Sequence, residues 1–401
     1  PSDEVIDAIN KFANVNLTFQ WVPAATVDER MNAALAGGDM ADIVTMNRLT
    51  NATQRAALGS GIFWDVESYI KDYPHLAETS QERLDSVKVN GMLSGVPIVK
   101  PVARYGLVIR QDWLNKLGLE VPHTVEELEK VAMAFVNDDP DGNGQNDTYA
   151  LIERNESWNV SFRQVAGWYG APNKWGLTEE GKVEPWFLHD GYYEAMELYK
   201  KFYEAGVINS DFAVMEKNDQ KQAAAQGKGG IVITGLYDAR NYYNLAVELG
   251  LEGEMEWALI NDMHVDGGEI RSLSDTNNGV GGVYAMPKSE VKDEAALKRI
   301  LQFLDDMSSK EGFLLMTNGI EGVHYKMEGN TVINLDQEKW KQEVQALSGS
   351  RINELVTYEF DNDNPMVQES NKMILANEEH AVYDVSPPLQ SKTYDTLYSQ
   401  I

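Results

Sequence analysis

Segments with helical periodicity alternate along the chain with short apolar runs. Ile231–Thr234 and Val283–Met286 are apolar runs of strand length, and glycines that favour a turn precede each of them. Between such runs lie segments with one apolar face, as in the stretch that begins at Asp190 and ends at Gly206. Helices that alternate with strands predict sheets covered by helices, so the predicted fold class is α/β.

Capping residues mark where several of these helices begin. Thr124 stands three residues before Glu127, which is the spacing of a capping box, and it opens a helix predicted to run to Val136. The polar, glycine-rich stretch Asp266–Gly282 is the predicted crossing between two domains. Further helices are predicted over Asp112–Leu117, Ala295–Met307, Gln337–Leu347 and Val367–Ala376, and further strands over Asn16–Val22, Ile43–Met46 and Gly106–Arg110.

Composition limits the functions that the chain can have. Its 401 residues, 43% of them hydrophobic, are enough for two domains with separate cores. The formal net charge of −29 would repel nucleic-acid phosphates and anionic headgroups, so neither is an expected ligand. The absence of cysteine excludes disulfides, zinc-thiolate sites and thiol nucleophiles within this sequence.

The most specific local motif is an acidic, glycine-containing loop. Oxygen-bearing side chains recur at its positions one, three, five and nine, glycine stands at position six, and position seven offers a backbone carbonyl. The predicted calcium ligands are Asp139, Asp141, Asn143, Gln145 and Asp147, with Gly144 at the sharp turn.

Two features leave the composition of this calcium site open. Position twelve, which carries a bidentate glutamate in an EF-hand, is Ala150, so other ligands are needed; Asp138, Thr148 and Glu153 are nearby. The segment Tyr149–Ile152 after the loop looks extended, which favours a structural ion over a helix-pair switch. The alternative is a turn rich in Asn, Gly and Asp that binds no ion.

Several short sequence runs, spread over nearly the whole chain, match the sequence pattern of a known family in the same order. The chain resembles the family 1 extracellular solute-binding proteins of ABC transporters, in particular the long lipoprotein branch found in Firmicutes. The residues that carry the resemblance are 36–43 (AGGDMADI), 91–97, 109–122 (IRQDWLNKLGLEVP), 203–212 (YEAGVINSDF), 281–287 and 319–325 (GIEGVHY).

The resemblance implies a two-lobed, periplasmic-binding-protein-like fold with a ligand cleft and hinge crossings. We expect residues 1–108 and 281–325 in lobe one, and residues 109–280 and 326–401, with the calcium loop, in lobe two. The resemblance also implies an extracellular monomer that delivers a carbohydrate to ABC permease subunits. Its membrane anchor would be an N-terminal lipid on a cysteine upstream of Pro1.

Sugars present flat C–H faces ringed by hydroxyls, so their sites combine aromatic planes with amides, carboxylates or arginines. Trp158 follows a predicted strand and stands beside Asn155 and Glu156, whereas Trp168 and Trp175 are expected to be structural. Of the other candidates, Asn47, Arg48, Arg104 and Tyr237 flank predicted strands, Asn277 lies in the predicted crossing, and Tyr325 lies in the last of the runs that carry the family resemblance. The predicted ligand-binding residues are Asn47, Arg48, Arg104, Trp158, Tyr237, Asn277 and Tyr325.

We therefore predict a protein that binds an oligosaccharide, neutral or uronate, without altering it. A secreted glycoside hydrolase is the main alternative, because paired carboxylates and aromatic subsites have a similar composition. A calcium-dependent adhesin is the other alternative, since it would share the loop and the aromatics. No catalytic residues are predicted, because the chain shows no nucleophile elbow, metal-ligand histidine pair or nucleotide fingerprint.

Overall fold

A computed structural model describes residues 1–23, 26–47, 49, 51–251, 253–362 and 364–389. The α-helices are α1 Asp3–Ala13, α2 Val27–Gly37, α3 Ala52–Leu58, α4 Glu67–Ile70, α5 Gln81–Ser86, α6 Gln111–Leu117, α7 Val125–Asn137, α8 Ser161–Trp168, α9 Asp190–Glu204, α10 Lys217–Ala225, α11 Ala239–Glu248, α12 Glu294–Ser308, α13 Lys310–Thr317, α14 Gln337–Glu343, α15 Gln345–Ser348 and α16 Pro365–Ala376.

The strands and single helical turns complete the regular structure of the described residues. The strands are β1 Val44–Met46, β2 Val96–Val99, β3 Tyr105–Arg110, β4 Tyr149–Leu151, β5 Trp175–Leu177, β6 Val183–Pro185, β7 Gly229–Gly235, β8 Trp257–Ile260, β9 Ser272–Leu273, β10 Val280–Ala285, β11 Tyr325–Glu328, β12 Thr331–Asn334 and β13 Ala381–Val382. Short 3-10 turns cover Leu76–Glu78, Ser157–Asn159, Trp186–Leu188, Leu236–Asp238, Glu354–Glu359 and Asn377–His380.

Local sequence signals explain several helix ends. Thr124 accepts the N–H of Glu127 while the Glu127 carboxylate accepts the N–H of Thr124, so the predicted capping box is confirmed. Helix α6 ends at Gly118, whose φ of 65° is the left-handed conformation that glycine adopts without strain. Among the described residues, no helix has the length and apolar character that crossing a bilayer requires.

The chain folds into two compact units, each with its own core. The first contains Pro1–Pro101, Thr276–Asp361 and residues 387–389, and the second contains Val102–Asp275 and Asn362–Ser386. These units divide the chain at other points than the predicted lobes do. One reason is that β3, Tyr105–Arg110, is a single strand paired along its length with β7 and β8. Residues 105–108 therefore belong with the second sheet, although the prediction ended lobe one at 108.

The first unit is built around a three-stranded sheet with the order β1-β10-β2, in which both pairings are antiparallel. Met46, Leu58, Phe63 and Leu93 are among the fully buried side chains of its core. Met46 pairs with Val283 and Val99 pairs with Val280. The residues after β1 and the residues before β10 therefore lie at the same edge of this sheet.

The second unit is built around a four-stranded sheet with the order β4-β7-β3-β8. Strand β4 runs parallel to β7, and β3 runs antiparallel to both β7 and β8. Helices α6 and α7 cover it, and Trp113 and Phe135 meet edge to face at 5.1 Å in the core. Because Tyr105 pairs with Gly235, the carboxyl ends of β4 and β7 and the amino end of β3 share one edge.

Two segments differ from the prediction. Residues Asn16–Val22 form no strand; Val15, Leu17 and Phe19 nevertheless pack on the first core at alternating positions. The predicted helix Gln337–Leu347 is interrupted at Val344, where α14 ends and α15 begins.

Candidate functional site

Polar and aromatic side chains collect at the shared edge of the second sheet. Arg104 directly precedes β3, Tyr237 follows β7, and Trp158 stands on the turn after β4. We call these three residues, together with Arg154 and Lys217, the sheet-edge cluster. Carboxyl ends of strands are where open α/β sheets hold their ligands, so the topology alone makes this edge the candidate site.

Asp275 fixes the orientation of Arg104. One carboxylate oxygen accepts the Arg104 backbone N–H at 2.9 Å, and the other accepts Nε at 2.9 Å and pairs with the terminal nitrogen at 2.8 Å. Charge-assisted bonds of this kind are stronger than neutral ones and hold the guanidinium in one plane. That guanidinium lies over the Tyr237 ring, 5.0 Å from its centroid, in cation–π geometry.

Tyr237 has a second cation beside its ring. Lys217 Nζ lies 6.0 Å from the ring centroid and pairs with Asp238 at 2.9 Å. A side chain at position 235 would collide with the Tyr237 ring, so Gly235 allows the ring to lie back against the end of β7. Burial raises the pKa of Tyr237, so the phenol keeps its proton and can both donate and accept hydrogen bonds.

Trp158 presents a large apolar plane to solvent. Its side chain is 66% exposed on the turn Ser157–Asn159, whereas Trp168 is buried in the second core. The turn is held by Ser157, whose Oγ accepts the Arg154 backbone N–H at 2.8 Å. Arg154 in turn donates to Gln220 at 2.6 Å, and Gln220 donates to the Ile152 carbonyl at 2.6 Å. An exposed indole on a fixed turn is suited to stacking against a sugar face.

A buried hydrogen-bond network around Glu153 supports the segment between β4 and the Trp158 turn. Glu153 accepts hydrogen bonds from Ser161 Oγ at 2.6 Å and from Tyr199 at 2.8 Å. Desolvation raises the pKa of Glu153, against the opposing effect of these hydrogen bonds and of Arg154. The network locks the segment between β4 and the Trp158 turn onto helices α8 and α9.

The first unit carries a second set of predicted residues. Asn47 follows β1 and Asn277 precedes β10, so both lie at one edge of that sheet. Asn277, Asn278 and Gly279 have φ of 50°, 60° and 82°, a left-handed run that reverses the chain before β10. Arg48, also predicted as a ligand, lies outside the described residues.

Tyr325 lies outside the three-stranded sheet of the first unit. It begins the β11–β12 hairpin, is 6% exposed, and packs with Phe313, Leu314 and Val356 in a small apolar cluster. The structure thus brings Arg104 and Tyr237 together and sets Tyr325 among core residues.

Sequence reasoning did not single out Asp275, Lys217 or Gln220. Asp275 lies in the stretch predicted as a crossing, where an acid next to asparagines and glycine also suits a turn. Lys217 and Gln220 lie on helix α10, and nothing in their spacing distinguishes them from other polar helix residues. Their roles depend on α10 packing beside β7, which is a tertiary contact.

The predicted calcium loop lies between α7 and β4 and folds around its own side chains. Asp139, Gly142 and Gly144 adopt φ of 48°, 75° and 77°. Asp139 accepts the Gly144 N–H at 3.1 Å, and the Asn143 amide donates to Asp141 at 2.8 Å and to Asp147 at 3.1 Å. Of the three supplementary ligand candidates, Thr148 instead donates to the Phe135 carbonyl at 2.8 Å and Glu153 accepts from Ser161 at 2.6 Å, so these two do not point to the loop.

Two observations test whether this loop fits a cation. The Oδ1 atom of Asp139 is buried and has no hydrogen-bond partner among the described residues, although the loop is at the surface. Partial burial, the hydrogen bond that the protonated Asp141 donates to Asp139, and the charges of Asp147 and Asp139 raise the pKa of Asp141. An unpartnered buried oxygen among crowded carboxylates fits a hard cation.

The carboxylates of the loop are not gathered around one point. Within the described part of the chain, no group of three or more His, Asp or Glu side chains is arranged to hold a metal. The Asn143 amide lies between Asp141 and Asp147 and donates a hydrogen bond to each carboxylate.

Comparison with known proteins identifies the family. Residues 2–312 match the model of the bacterial extracellular solute-binding proteins. The polygalacturonan/rhamnogalacturonan-binding protein YtcQ of Bacillus subtilis (strain 168) is 35% identical over 395 residues, which cover 96% of this chain and 78% of YtcQ.

Solved structures share the fold at low sequence identity. The alginate-binding protein AlgQ2, solved without calcium ion, matches with a TM-score of 0.63 and 18% identity over 99% of this chain and 83% of AlgQ2. An EF-hand mutant of the S. pneumoniae ABC-transporter substrate-binding protein FusA, in complex with fructo-nystose, matches with a TM-score of 0.61 and 17% identity over 98% of this chain and 84% of FusA. The predicted two-lobed α/β fold is thereby confirmed, and the chain belongs to the family of bacterial extracellular solute-binding proteins.

Proposed function

We propose that this protein captures an oligosaccharide outside the cell and delivers it, unaltered, to the permease of an ABC importer. The sheet-edge cluster carries the proposal: an aromatic ring flanked by two cations, and an exposed indole at the same edge of one sheet. Aromatic planes would stack on sugar C–H faces, while the guanidinium, ammonium and phenol groups would bind the hydroxyls. YtcQ binds polygalacturonan/rhamnogalacturonan, AlgQ2 binds alginate and FusA was solved with fructo-nystose, which supports a carbohydrate as the ligand.

The cations of the cluster bear on which sugar binds. Arg104, Arg154 and Lys217 each have a carboxylate partner, respectively Asp275, Glu156 and Asp238. A sugar carboxylate would have to share these cations, whereas neutral hydroxyls would bind alongside the existing pairs. The relative that binds polygalacturonan makes oligogalacturonides the first probes, and neutral oligosaccharides the comparison.

We further propose a structural calcium ion in the loop, held by Asp139, Asp141, Asn143 and Asp147 through side-chain oxygens and by Gln145 through its carbonyl. The unpartnered Oδ1 of Asp139, the solution of AlgQ2 in a form without calcium ion and the EF-hand of FusA support it. When bound, the ion would neutralise the loop carboxylates and tie the end of α7 to the start of β4.

The remaining expectations are that the protein acts as a monomer, performs no chemistry, and is tethered by an N-terminal lipid on a cysteine upstream of Pro1. The expectation that the bound sugar is released unaltered distinguishes this proposal from a glycoside hydrolase. A thermal-shift panel of galacturonan, rhamnogalacturonan, alginate and fructan oligomers tests whether the protein binds a carbohydrate. A ligand at a hundredfold excess over its Kd adds about 2.7 kcal/mol to the free energy of unfolding. A panel that leaves the melting temperature unchanged throughout contradicts the proposal.

A further inference from the structure

A polar cavity lies in the second unit, between α11 and α16. Its volume is about 420 Å³, within the range of small-molecule sites. Helix α11 forms one side, and the segment that leads into α16 forms the other. The described lining residues are Arg240, Tyr243, Asn244, Asn362, Asn364 and Val367.

The lining has the chemistry of a hydroxyl-rich ligand site. Three carboxamides can each donate and accept hydrogen bonds, which is what vicinal sugar hydroxyls require. Arg240 supplies an exposed guanidinium on the α11 side of the cavity. The ring of Tyr243 and the side chain of Val367 supply apolar contact area.

Hydrogen bonds within the cavity wall hold all three amides before any ligand arrives. Asn364 donates to Asn244 Oδ1 at 3.0 Å, and its own Oδ1 caps α16 by accepting the N–H of Met366 at 3.0 Å. The Oδ1 of Asn362 accepts the Asn364 N–H at 3.1 Å. A lining held in this way loses little conformational entropy when a ligand binds.

The cavity lies on the helix that directly follows the turn carrying Tyr237. Helix α11 begins at Ala239, directly after the 3-10 turn that carries Tyr237, so Arg240 follows that ring by three residues. Helix α16 packs against both α11 and the same turn. Tyr237 and the cavity lining are therefore carried by adjacent, mutually packed elements of one unit.

We propose that this cavity is a sugar subsite that takes a further residue of the oligosaccharide bound at Tyr237. The inference rests on the proposed function and adds a consequence: affinity depends on chain length. A disaccharide occupies the sheet-edge cluster alone, and a longer oligomer gains hydrogen bonds from Arg240 and Asn244.

Calorimetric titration with di- to hexa-oligogalacturonides, and with alginate and fructan oligomers of the same lengths, tests the subsite. Two variants disable it by different means: R240A/N244A removes polar groups from α11, and Val367→Trp fills the space. Alanine favours helix, so the first variant should keep its fold. The control is Lys200→Ala, which removes an exposed cation from α9 of the same unit.

For the wild type and the control, affinity should rise with oligomer length. In both subsite variants the longest oligomer should bind at least tenfold more weakly, with the disaccharide unchanged. Wild-type length dependence in both variants would overturn the subsite alone. No binding of any oligomer to the wild type would overturn the proposed function and the subsite with it.

Discussion

The guanidinium of Arg104 lies 5.0 Å from the centre of the Tyr237 ring, and Asp275 holds it there through three contacts of 2.8–2.9 Å. The Asp275 side chain is 1% exposed and that of Arg104 is 22% exposed, so water screens the pair weakly. The pair therefore determines how a cation and an aromatic face are presented together at the sheet edge.

Asp275→Ala should weaken both ligand binding and the fold. Removal of the carboxylate frees the Arg104 guanidinium and leaves a backbone N–H without its acceptor, which costs about 1–3 kcal/mol of unfolding free energy. We expect a rise of about tenfold in Kd, equivalent to about 1.4 kcal/mol. Asp266→Ala, in an exposed turn, is the control. Wild-type affinity in the Asp275 variant, measured by calorimetry, would exclude a role for the pair in binding.

Trp158→Ala should weaken binding without changing stability. The indole is 66% exposed, so its removal takes little apolar area from the core. Loss of a stacking plane should raise Kd about tenfold. Phe187→Ala, which removes a 50% exposed aromatic ring from the same unit, should leave Kd unchanged. Equal losses in the two variants would show that exposed aromatics act here without specificity.

Calcium should raise the melting temperature, and a chelator should lower it. The ion would neutralise Asp139, Asp141 and Asp147, whose charges otherwise repel one another between α7 and β4. Asp139→Asn should abolish most of this response, whereas Asp266→Asn should retain it. Differential scanning fluorimetry with added calcium, magnesium or chelator gives the comparison. A melting temperature that is independent of calcium in the wild type would leave the loop as an ion-free turn.

Glu153 should make stability fall as pH rises. Burial raises its pKa above the ordinary value of 4.5, so the folded carboxyl still holds its proton at pH values where the unfolded one has lost it. The free energy of unfolding therefore decreases through that window and levels off once the folded carboxyl ionises. Glu153→Gln lacks this titration. Chemical denaturation of both proteins at several pH values should show the wild type losing stability relative to the variant. A constant difference from acidic to neutral pH would contradict the assignment.

Much of the fold could be predicted because local signals agree with tertiary structure at many elements. The capping box at Thr124, the glycine stop at Gly118 and the apolar run in β7 each depend on a few neighbouring residues. The segment Asn16–Val22 shows the limit of that approach. Its alternation correctly indicates one face packed on the core, but a strand also needs a neighbouring strand to pair with, and in the described part of the chain no segment pairs along the outer side of β1.

In the candidate site, the residues that lie at the ends of strands could be predicted from the sequence, whereas those placed by tertiary packing could not. Tyr237 and Arg104 flank strands, and the sheet order brings them together. Asp275, Lys217 and the cavity beside α16 come from distant parts of the chain, so no local spacing reveals them. Tyr325 illustrates the converse: an aromatic in a matched run is packed into a local apolar cluster.

Equilibrium titration of the protein with defined oligosaccharides, followed by mass spectrometry of the recovered sugar, decides whether the protein binds a sugar and releases it unaltered. We predict saturable binding of at least one oligosaccharide, loss of that binding in Tyr237→Ala, and recovery of the ligand with its mass unchanged. Hydrolysed or otherwise modified sugar after incubation, or binding that is unaffected in Tyr237→Ala, would contradict the account.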